Sequence, residues 1–315
     1  MGQISEDNMS TIAKIFRKAT ALDPNNLEAW AELAHIDIIA ALTCVLPCSY
    51  AYSRASAALS RALEIDPASD AAITNLALFK LTFERDWEGS RKTYLQLVKG
   101  KYAYGSLVGR ALLKVASGDL RDASEFLLEA THLNPLDAPL TAFLAWVMYL
   151  DKNYADALFM VNMYRKCGDA GTLMTVVSAF AAIQMHNAAE TMSNLESLLA
   201  EQSHRTILDG VRGYYFALSG QPESARNVLD EMTAGPSAEM YGMAYPIALI
   251  HMALGDKKMA VQWLKKSYIE GSLWSLAFHL DPTLDSLRGD PDFESLLRKI
   301  NYPSPALVSG PRQYE

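Results

Sequence analysis

Cysteine is scarce in this chain: Cys44, Cys48 and Cys167 are its three cysteines in 315 residues. An odd and low count argues against a disulfide framework and favours a reducing compartment, so we expect a cytoplasmic protein. Cys44 and Cys48 lie four residues apart, but Pro47 between them disfavours one continuous helix. Packing as small apolar side chains is favoured over a redox or metal pair.

The sequence also lacks the short motifs of common enzyme chemistry. It contains no HExxH, CxxC, Walker A, GxGxxG or GxSxG pattern, and its six histidines show no metal-ligand spacing. Asp281, Asp285, Asp290 and Asp292 cluster near prolines and a predicted helix start, which favours turn and cap roles over a cation site. We therefore expect no catalysis, no metal and no cofactor.

Long apolar runs are absent as well. No stretch of 18 apolar residues occurs, and the polar start lacks the apolar core of a signal peptide, so no membrane association is expected. The formal net charge is −8, and an acidic chain repels phosphate backbones. We expect no nucleic-acid binding by this chain.

What the sequence does contain is a repeat. Small residues recur at successive spacings of 34, 34, 34, 34 and 35 residues, at Ala77, Ala111, Ala145, Ala179, Gly213 and Ala248. A second series keeps nearly the same period, with one gap of two periods, at Ala55, Ser90, Ala123, Ala157, Ala225 and Ala260. A unit of about 34 residues is two antiparallel helices, which small residues allow to cross closely. Gly118, Gly220 and Gly255 are expected to end first helices in the left-handed conformation.

Three segments show the whole unit: 117–135, 219–232 and 254–268 each combine a glycine, polar residues and an apolar helical face. This pattern resembles the tetratricopeptide repeat family from Ile12 to about Tyr268. Residues that match the family include Trp30, Leu33, Ala123, Ala130 and Pro135. The resemblance implies an all-α fold, a right-handed α-solenoid of helix pairs.

The array is predicted to form one domain over residues 1–302, with 276–302 as a capping segment and 303–315 as a flexible tail. Residues 42–52 hold most of a nine-residue excess over the period, which predicts a long loop or an extended helix end. The first unit is predicted to be a half repeat, a second helix alone over residues 9–22. This suggests a chain cut from a longer protein, or one that docks onto something at an open N-terminal end.

The end of the array carries a second resemblance. Residues 280–300, with the Asp86–Trp87 pair at a helix start, resemble repeat arrays of bacterial winged-helix transcriptional regulators of the CadC/HilA type. Similar arrays follow some class III nucleotide cyclase domains. The resemblance implies a regulatory domain whose effector domain lies outside this chain. The apolar residues that would cover the last repeat are Phe293, Leu296, Leu297 and Ile300.

In such arrays the first helix of each pair lines a concave groove. Counting from Ala145 as a close-crossing position selects as groove residues Trp146, Tyr149, Phe180, Gln184, Tyr214, Tyr245 and Met252. Aromatic residues at one register suit a peptide platform, while the alternative is that they pack between repeats as ordinary core. By the same count, Ala142 does not belong to the series of small residues at which two helices cross closely. The lysine and asparagine pattern that holds a peptide carboxylate in chaperone-binding members is missing.

These observations favour a protein–protein interaction or regulatory domain of a bacterial signalling or transcription protein. Its partner would be another protein or a second copy, bound at the groove or at the open N-terminal end. The alternative is a sensor that binds a small apolar molecule in the groove.

Overall fold

The computed structural model describes residues 6–43, 46–97, 103–134, 137–166, 171–186, 207–234 and 242–305. Throughout these ranges the chain forms helices and turns and no β-strand, so the predicted all-α class is confirmed. The chain divides into unit 1, residues 1–136 and 302–315, and unit 2, residues 137–301. One continuous array over residues 1–302 stays a prediction. Cys44, Pro135, Cys167 and residues 306–315 lie outside the described ranges.

Unit 1 pairs its helices in chain order. Its described α-helices are α1 Glu6–Leu22, α2 Leu27–Leu42, α3 Cys48–Ile65, α4 Asp70–Phe79, α5 Trp87–Tyr94, α6 Ala103–Ser117 and α7 Leu120–Leu133, with a π-helical turn, Lys80–Glu84, after α4. Helix α2 packs on α3, α4 on α5, and α6 on α7. The first helices of these pairs, α2, α4 and α6, also contact one another in sequence.

Unit 2, taken by itself, also has helices that pack as neighbours in chain order. Its described α-helices are α8 Ala138–Leu150, α9 Tyr154–Arg165, α10 Gly171–Gln184, α11 Ile207–Leu218, α12 Pro222–Thr233, α13 Ala244–Ala253, α14 Lys257–Ile269 and α15 Pro291–Ile300. Two 3-10 turns, Leu273–Leu276 and Pro282–Leu287, lie between α14 and α15. The first helices α8, α10, α11 and α13 contact one another in that order.

Both series of small residues lie at buried helix crossings. The members of the first series that carry a side chain are at most 1% exposed: Ala77, Ala111, Ala145, Ala179 and Ala248. The second series is 0% exposed throughout: Ala55, Ser90, Ala123, Ala157, Ala225 and Ala260. A Cβ atom at Gly213 would lie 2.6 Å from Cδ1 of Ile250, which is closer than packed atoms approach. The period therefore marks the places where helix backbones come together.

A left-handed residue follows each of six described first helices: α4, α6, α8, α10, α11 and α13. These residues stand at intervals of 33, 34, 34, 34 and 35, at Arg85, Gly118, Lys152, His186, Gly220 and Gly255. The prediction for the three glycines is confirmed, with φ between 77° and 87°. Arg85, Lys152 and His186 adopt φ between 52° and 62° although a side chain disfavours that region. The repeat geometry thus imposes the same turn where glycine is absent.

The excess residues near position 42 lengthen a helix. Helix α3 runs for 18 residues, longer than its neighbours α2 and α4. Helix α2 ends at Leu42 and α3 begins at Cys48, so their connection is about as short as the one between α3 and α4. Of the two predicted forms, the structure has the longer helix and not a long loop.

Candidate functional site

Five aromatic side chains from the first helices of unit 2 gather in one cluster, which we call the aromatic face. Trp146 and Tyr149 lie on α8, Phe180 on α10, Tyr214 on α11 and Tyr245 on α13. The Phe180 ring centroid lies 6.0 Å from that of Tyr149, 6.2 Å from that of Tyr214 and 6.4 Å from that of Tyr245. Tilted and edge-to-face contacts at these distances are favourable between aromatic rings. The cluster therefore joins four helices.

The aromatic face is covered by residues 273–287, which we call the closing segment. The Trp274 ring stacks on Tyr245, with centroids 4.9 Å apart and ring planes 4° from parallel. Its edge contacts reach Phe180 at 5.9 Å and Trp146 at 6.0 Å. The Phe278 ring lies nearly parallel to Tyr245 at 6.2 Å. One indole thus contacts three of the four helices that carry the face.

A buried carboxylate adds polar contacts to this apolar packing. Asp281 is 1% exposed and accepts hydrogen bonds from the Tyr149 hydroxyl at 3.1 Å and from the Tyr245 hydroxyl. The Thr283 hydroxyl, at 2.7 Å, and its backbone N–H, at 3.0 Å, donate to the same carboxylate. These donors satisfy a group whose burial without partners would be costly.

The surroundings of Tyr149 and Tyr245 keep both hydroxyl groups protonated. Burial raises the pKa of the Asp281 carboxyl, and the hydrogen bonds from Tyr245, Thr283 and Tyr149 offset part of that rise. Burial, together with the negative charge of Asp281, holds the pKa of Tyr149 and of Tyr245 well above the ordinary value. Both hydroxyls therefore remain donors over the physiological pH range.

Polar contacts also hold the edges of the closing segment. The Lys152 ammonium donates to the Asp285 carboxylate at 3.1 Å, and the Lys257 ammonium donates to the Ser286 carbonyl at 2.7 Å. The Arg288 guanidinium donates to the carbonyls of Phe278, at 2.9 Å, and Asp281, at 3.2 Å. The lysine contacts are exposed and each contributes little, so the rings and Asp281 dominate the attachment.

Local turn chemistry shapes the closing segment. Gly271, at φ +73°, follows the end of α14, and the Ser275 hydroxyl donates to the Ser272 carbonyl at 2.6 Å. Asp281 accepts the Thr283 N–H at the start of the second 3-10 turn, and Asp290 accepts the N–H of Phe293 at 3.1 Å at the start of α15. The cap roles expected for these two aspartates are confirmed. Asp281 is in addition a buried partner of two tyrosines.

His279 lies half-buried within the closing segment. Burial, with a smaller contribution from the nearby Arg288 charge, lowers the pKa of His279 to about 4. The imidazole is therefore neutral at physiological pH and would have to gain a charge inside the fold at low pH.

The structure buries most of the residues selected as groove residues. Exposed fractions are 0% for Trp146 and Tyr149, 1% for Phe180 and Tyr245, 4% for Tyr214 and 7% for Met252, while Gln184 is half-buried. The five aromatic residues are brought together, whereas Gln184 and Met252 add no ring to the cluster. This packing matches the alternative of an ordinary core position, because the closing segment fills the space in front of the rings. Partner binding by these side chains stays a prediction.

Sequence reasoning missed three residues of the site: Trp274, Phe278 and Asp281. It assigned Asp281 a cap role alone and gave the two aromatic residues no role. The available signal was an aromatic pair spaced four residues apart in a stretch that directly follows the last helix pair but breaks its pattern. Periodicity cannot identify such a stretch, because it does not repeat.

No protein-family model matches this sequence, and no curated protein matches it. Among solved structures, a tetratricopeptide repeat protein from Parabacteroides merdae ATCC 43184 is similar, with TM-score 0.54, 17% identity and coverage of 82% of this chain and 98% of that one. A monomeric mutant of IFIT1 with Gppp-AAAA gives TM-score 0.60 at 13% identity, covering 83% of this chain and 67% of that one. The pilF protein of Pseudomonas aeruginosa gives TM-score 0.44 at 17% identity, covering 62% and 86%.

The chain therefore has the fold of tetratricopeptide repeat proteins, the α-solenoid of helix pairs that the family resemblance implied. Within the described ranges, no helix has both the length and the apolar character needed to cross a membrane. No group of three or more potential ligands gathers into a metal site in the same part of the chain.

Proposed function

We propose that this chain is a protein-interaction repeat domain whose aromatic face recognises an extended segment with aromatic and acidic side chains. The observation that supports this proposal is the closing segment itself. It presents Trp274 to the stacked ring of Tyr245, and Asp281 to the hydroxyls of Tyr149 and Tyr245. Aromatic anchors and fully desolvated hydrogen bonds are the features that concentrate energy in protein interfaces.

On this proposal the closing segment is a ligand attached in cis. A partner segment of similar chemistry binds by replacing it, so the partner must contact the aromatic face more favourably than the attached segment does. The domain then has a closed form, described above, and a form in which a partner covers the rings. It performs no catalysis, and its acidic charge disfavours nucleic acid as the partner.

We further propose a regulatory role in a bacterial signalling or transcription protein. The support is the resemblance of residues 280–300 to the closing segments of CadC/HilA-type arrays, a region that here includes Asp281 and α15. The decisive observation is the gene that encodes this chain. A winged-helix or cyclase segment ahead of it would agree with the proposal, and a gene that encodes an unrelated enzyme domain would contradict it.

A sensor for a small apolar ligand at the same face is less well supported. The rings of the aromatic face and of Trp274 and Phe278 lie 4.9 to 6.4 Å apart, which is contact packing that leaves no space for a ligand between them. A ligand would have to displace the closing segment, as a partner segment would.

The proposal is tested by loosening the closing segment in the full chain. Asp281→Asn keeps the side-chain shape but removes one of the acceptor oxygens used by the tyrosines. A fluorescent peptide with the sequence of residues 272–287 should bind this variant, whereas the wild type, already occupied, should bind it at least tenfold more weakly. Fluorescence anisotropy measures the affinity.

The matched control is Asp285→Asn, which removes the same charge from the exposed edge of the closing segment. This variant should behave as the wild type does. Hydrogen exchange verifies that Asp281→Asn opens residues 273–287 while α8 and α13 stay protected. A loosened, folded variant that fails to bind the peptide would contradict the proposal.

A further inference from the structure

A second candidate site lies away from the aromatic face, where α14 and α15 pack together. A cavity of about 320 Å³ opens there, near the lower end of the range for small-molecule sites. Its lining residues are Lys265, Tyr268, Ile269, Ser295, Leu296 and Lys299. The two helices contribute three residues each, so whatever occupies the cavity touches both helices.

Helical spacing explains why these side chains share one opening. Lys265 and Ile269 are four residues apart on α14, and Ser295 and Lys299 are four apart on α15. Residues at this spacing lie on the same side of a helix. Each helix thus presents an ammonium group, a hydroxyl group and an apolar side chain, the hydroxyl of α14 being that of Tyr268.

The α14 wall of the cavity is basic, whereas the α15 wall is balanced, with Asp292 and Glu294 beside Arg298 and Lys299. The chain carries a net charge of −8, yet α14 contains four lysines and no acidic residue. Two of the four have partners: the Lys257 ammonium donates to the Ser286 carbonyl at 2.7 Å, and Lys266 approaches Glu270 at 3.9 Å. Among the described residues, no carboxylate forms an ion pair with Lys265 or Lys299. The cavity therefore holds two positive charges that no ion pair neutralises in this part of the chain.

We propose that this cavity binds a small phosphate monoester attached to a short apolar group. A monoester phosphate carries close to two negative charges at neutral pH and three acceptor oxygens, which suit two ammonium and two hydroxyl donors. Ile269 supplies the contact for the apolar group, while Leu296 lies at the floor of the cavity. Ile269 is 71% exposed and Leu296 is 2% exposed, so the apolar group would cover a side chain that now faces solvent.

Such a ligand would also fix α15 onto α14, because its phosphate contacts Lys265 on one helix and Lys299 on the other. Binding should then slow the opening of α15. This effect separates a bridging site from a lysine that attracts anions on one helix alone.

The experiment is calorimetric titration of the full chain with butyl phosphate, inorganic phosphate and pentanoate. Butyl phosphate should bind most tightly. Inorganic phosphate should bind at least threefold more weakly because it lacks the apolar group, and pentanoate more weakly still because it has one charge. Hydrogen exchange within α15 should slow when butyl phosphate is present.

Lys265→Ala/Lys299→Ala should weaken butyl phosphate binding by at least tenfold. The matched control, Lys14→Ala/Lys18→Ala, removes two exposed lysines from α1 in unit 1 and should leave the affinity unchanged. An equal loss of affinity in the control would show that butyl phosphate is attracted only by the general positive charge of lysines, and would overturn the proposal. Unchanged binding by the cavity variant, or pentanoate as tight as butyl phosphate, would overturn it as well.

Discussion

Units 1 and 2 share a period and both bury polar and aromatic side chains, but they differ in which contacts join their helices. Unit 1 buries polar pairs: Asp37, with a side chain 4% exposed, meets Arg54 at 2.8 Å, and His35 hydrogen-bonds Asn75 at 3.1 Å. Unit 2 buries aromatic rings and closes them with a segment from beyond its last helix pair. The repeat therefore specifies where helices cross, but it does not specify which side chains fill the space between the crossing helices.

The hydrogen bonds described within the two units also differ in their reach along the chain. The Arg54–Asp37 pair of unit 1 spans 17 residues and the His35–Asn75 pair spans 40. In unit 2 the Tyr149–Asp281 hydrogen bond spans 132 residues. Stacked repeats that contact only their neighbours can open locally, whereas a segment that contacts several repeats couples them. We therefore expect unit 2 to open more cooperatively than unit 1.

The largest expected effect comes from removing the indole that couples the helices of unit 2. Trp274→Ala should destabilise unit 2 by about 3–5 kcal/mol, because it leaves a cavity between Trp146, Phe180 and Tyr245. Hydrogen exchange resolved by helix, combined with urea unfolding, measures the loss in α8, α10 and α13.

The control for this change is Tyr52→Ala in unit 1, where the ring is 42% exposed although it contacts Phe79 at 5.0 Å. Its effect should be clearly smaller and confined to unit 1. Equal losses from the two truncations would remove the distinction between the units.

The next effect tests what the units have in common. Ala145→Leu in unit 2 and Ala77→Leu in unit 1 should each cost about 1–3 kcal/mol, because both alanines are 0% exposed and added methylene groups force the helices apart. The control, Ala155→Leu, lies at an exposed position of α9 and should cost little. Urea midpoints check the series. A large loss of stability in one unit alone would show that the series of small residues marks close helix crossings only in that unit.

Acid should weaken unit 2 through His279. Its pKa of about 4 in the folded state lies below the ordinary value of 6.5, so its contribution to stability is present above pH 6.5 and is lost as pH falls toward 4. Between pH 7 and pH 5 the loss from this group is about 2 kcal/mol.

His279→Gln should remove that part of the pH dependence, as measured by urea unfolding at both pH values. The carboxyl groups of Asp281 and Glu270, whose pKa values burial raises, act in the opposite sense. The prediction therefore concerns the difference in unfolding free energy between the variant and the wild type at each pH. Parallel pH curves for the two proteins would contradict the prediction.

The smallest effect concerns an irregular member of the repeat in unit 1. Ser90 stands where the second series otherwise has alanine, and its hydroxyl donates to the Ala77 carbonyl at 2.8 Å. Ser90→Ala should change stability by about 1 kcal/mol or less, because the pocket already accepts alanine at equivalent positions and one hydrogen bond is lost. Calorimetric melting compares the two proteins. A loss above 2 kcal/mol would show that the hydroxyl, and not the small size, is what this crossing requires.

Sequence reasoning predicted the helix pairs and the crossing positions well, because these depend on short-range periodicity. It predicted less well which residues are enclosed. Ala142, placed off the close crossing by the register, is 3% exposed because almost every side of α8 is covered. The rings of Tyr149 and Tyr245 lie in one cluster around Phe180, but periodicity could not show that the chain itself covers them.

The sequence alone determined the period, the small residues that allow helices to cross, and the glycine turns at Gly118, Gly220 and Gly255. These features are local, since each depends on a backbone conformation or on a side-chain size repeated every helix pair. The tertiary structure decided how Trp274 and Asp281 are used. Whether an aromatic ring faces solvent or packs against another ring depends on contacts across more than a hundred residues, and a repeating pattern contains no information about a segment that occurs once.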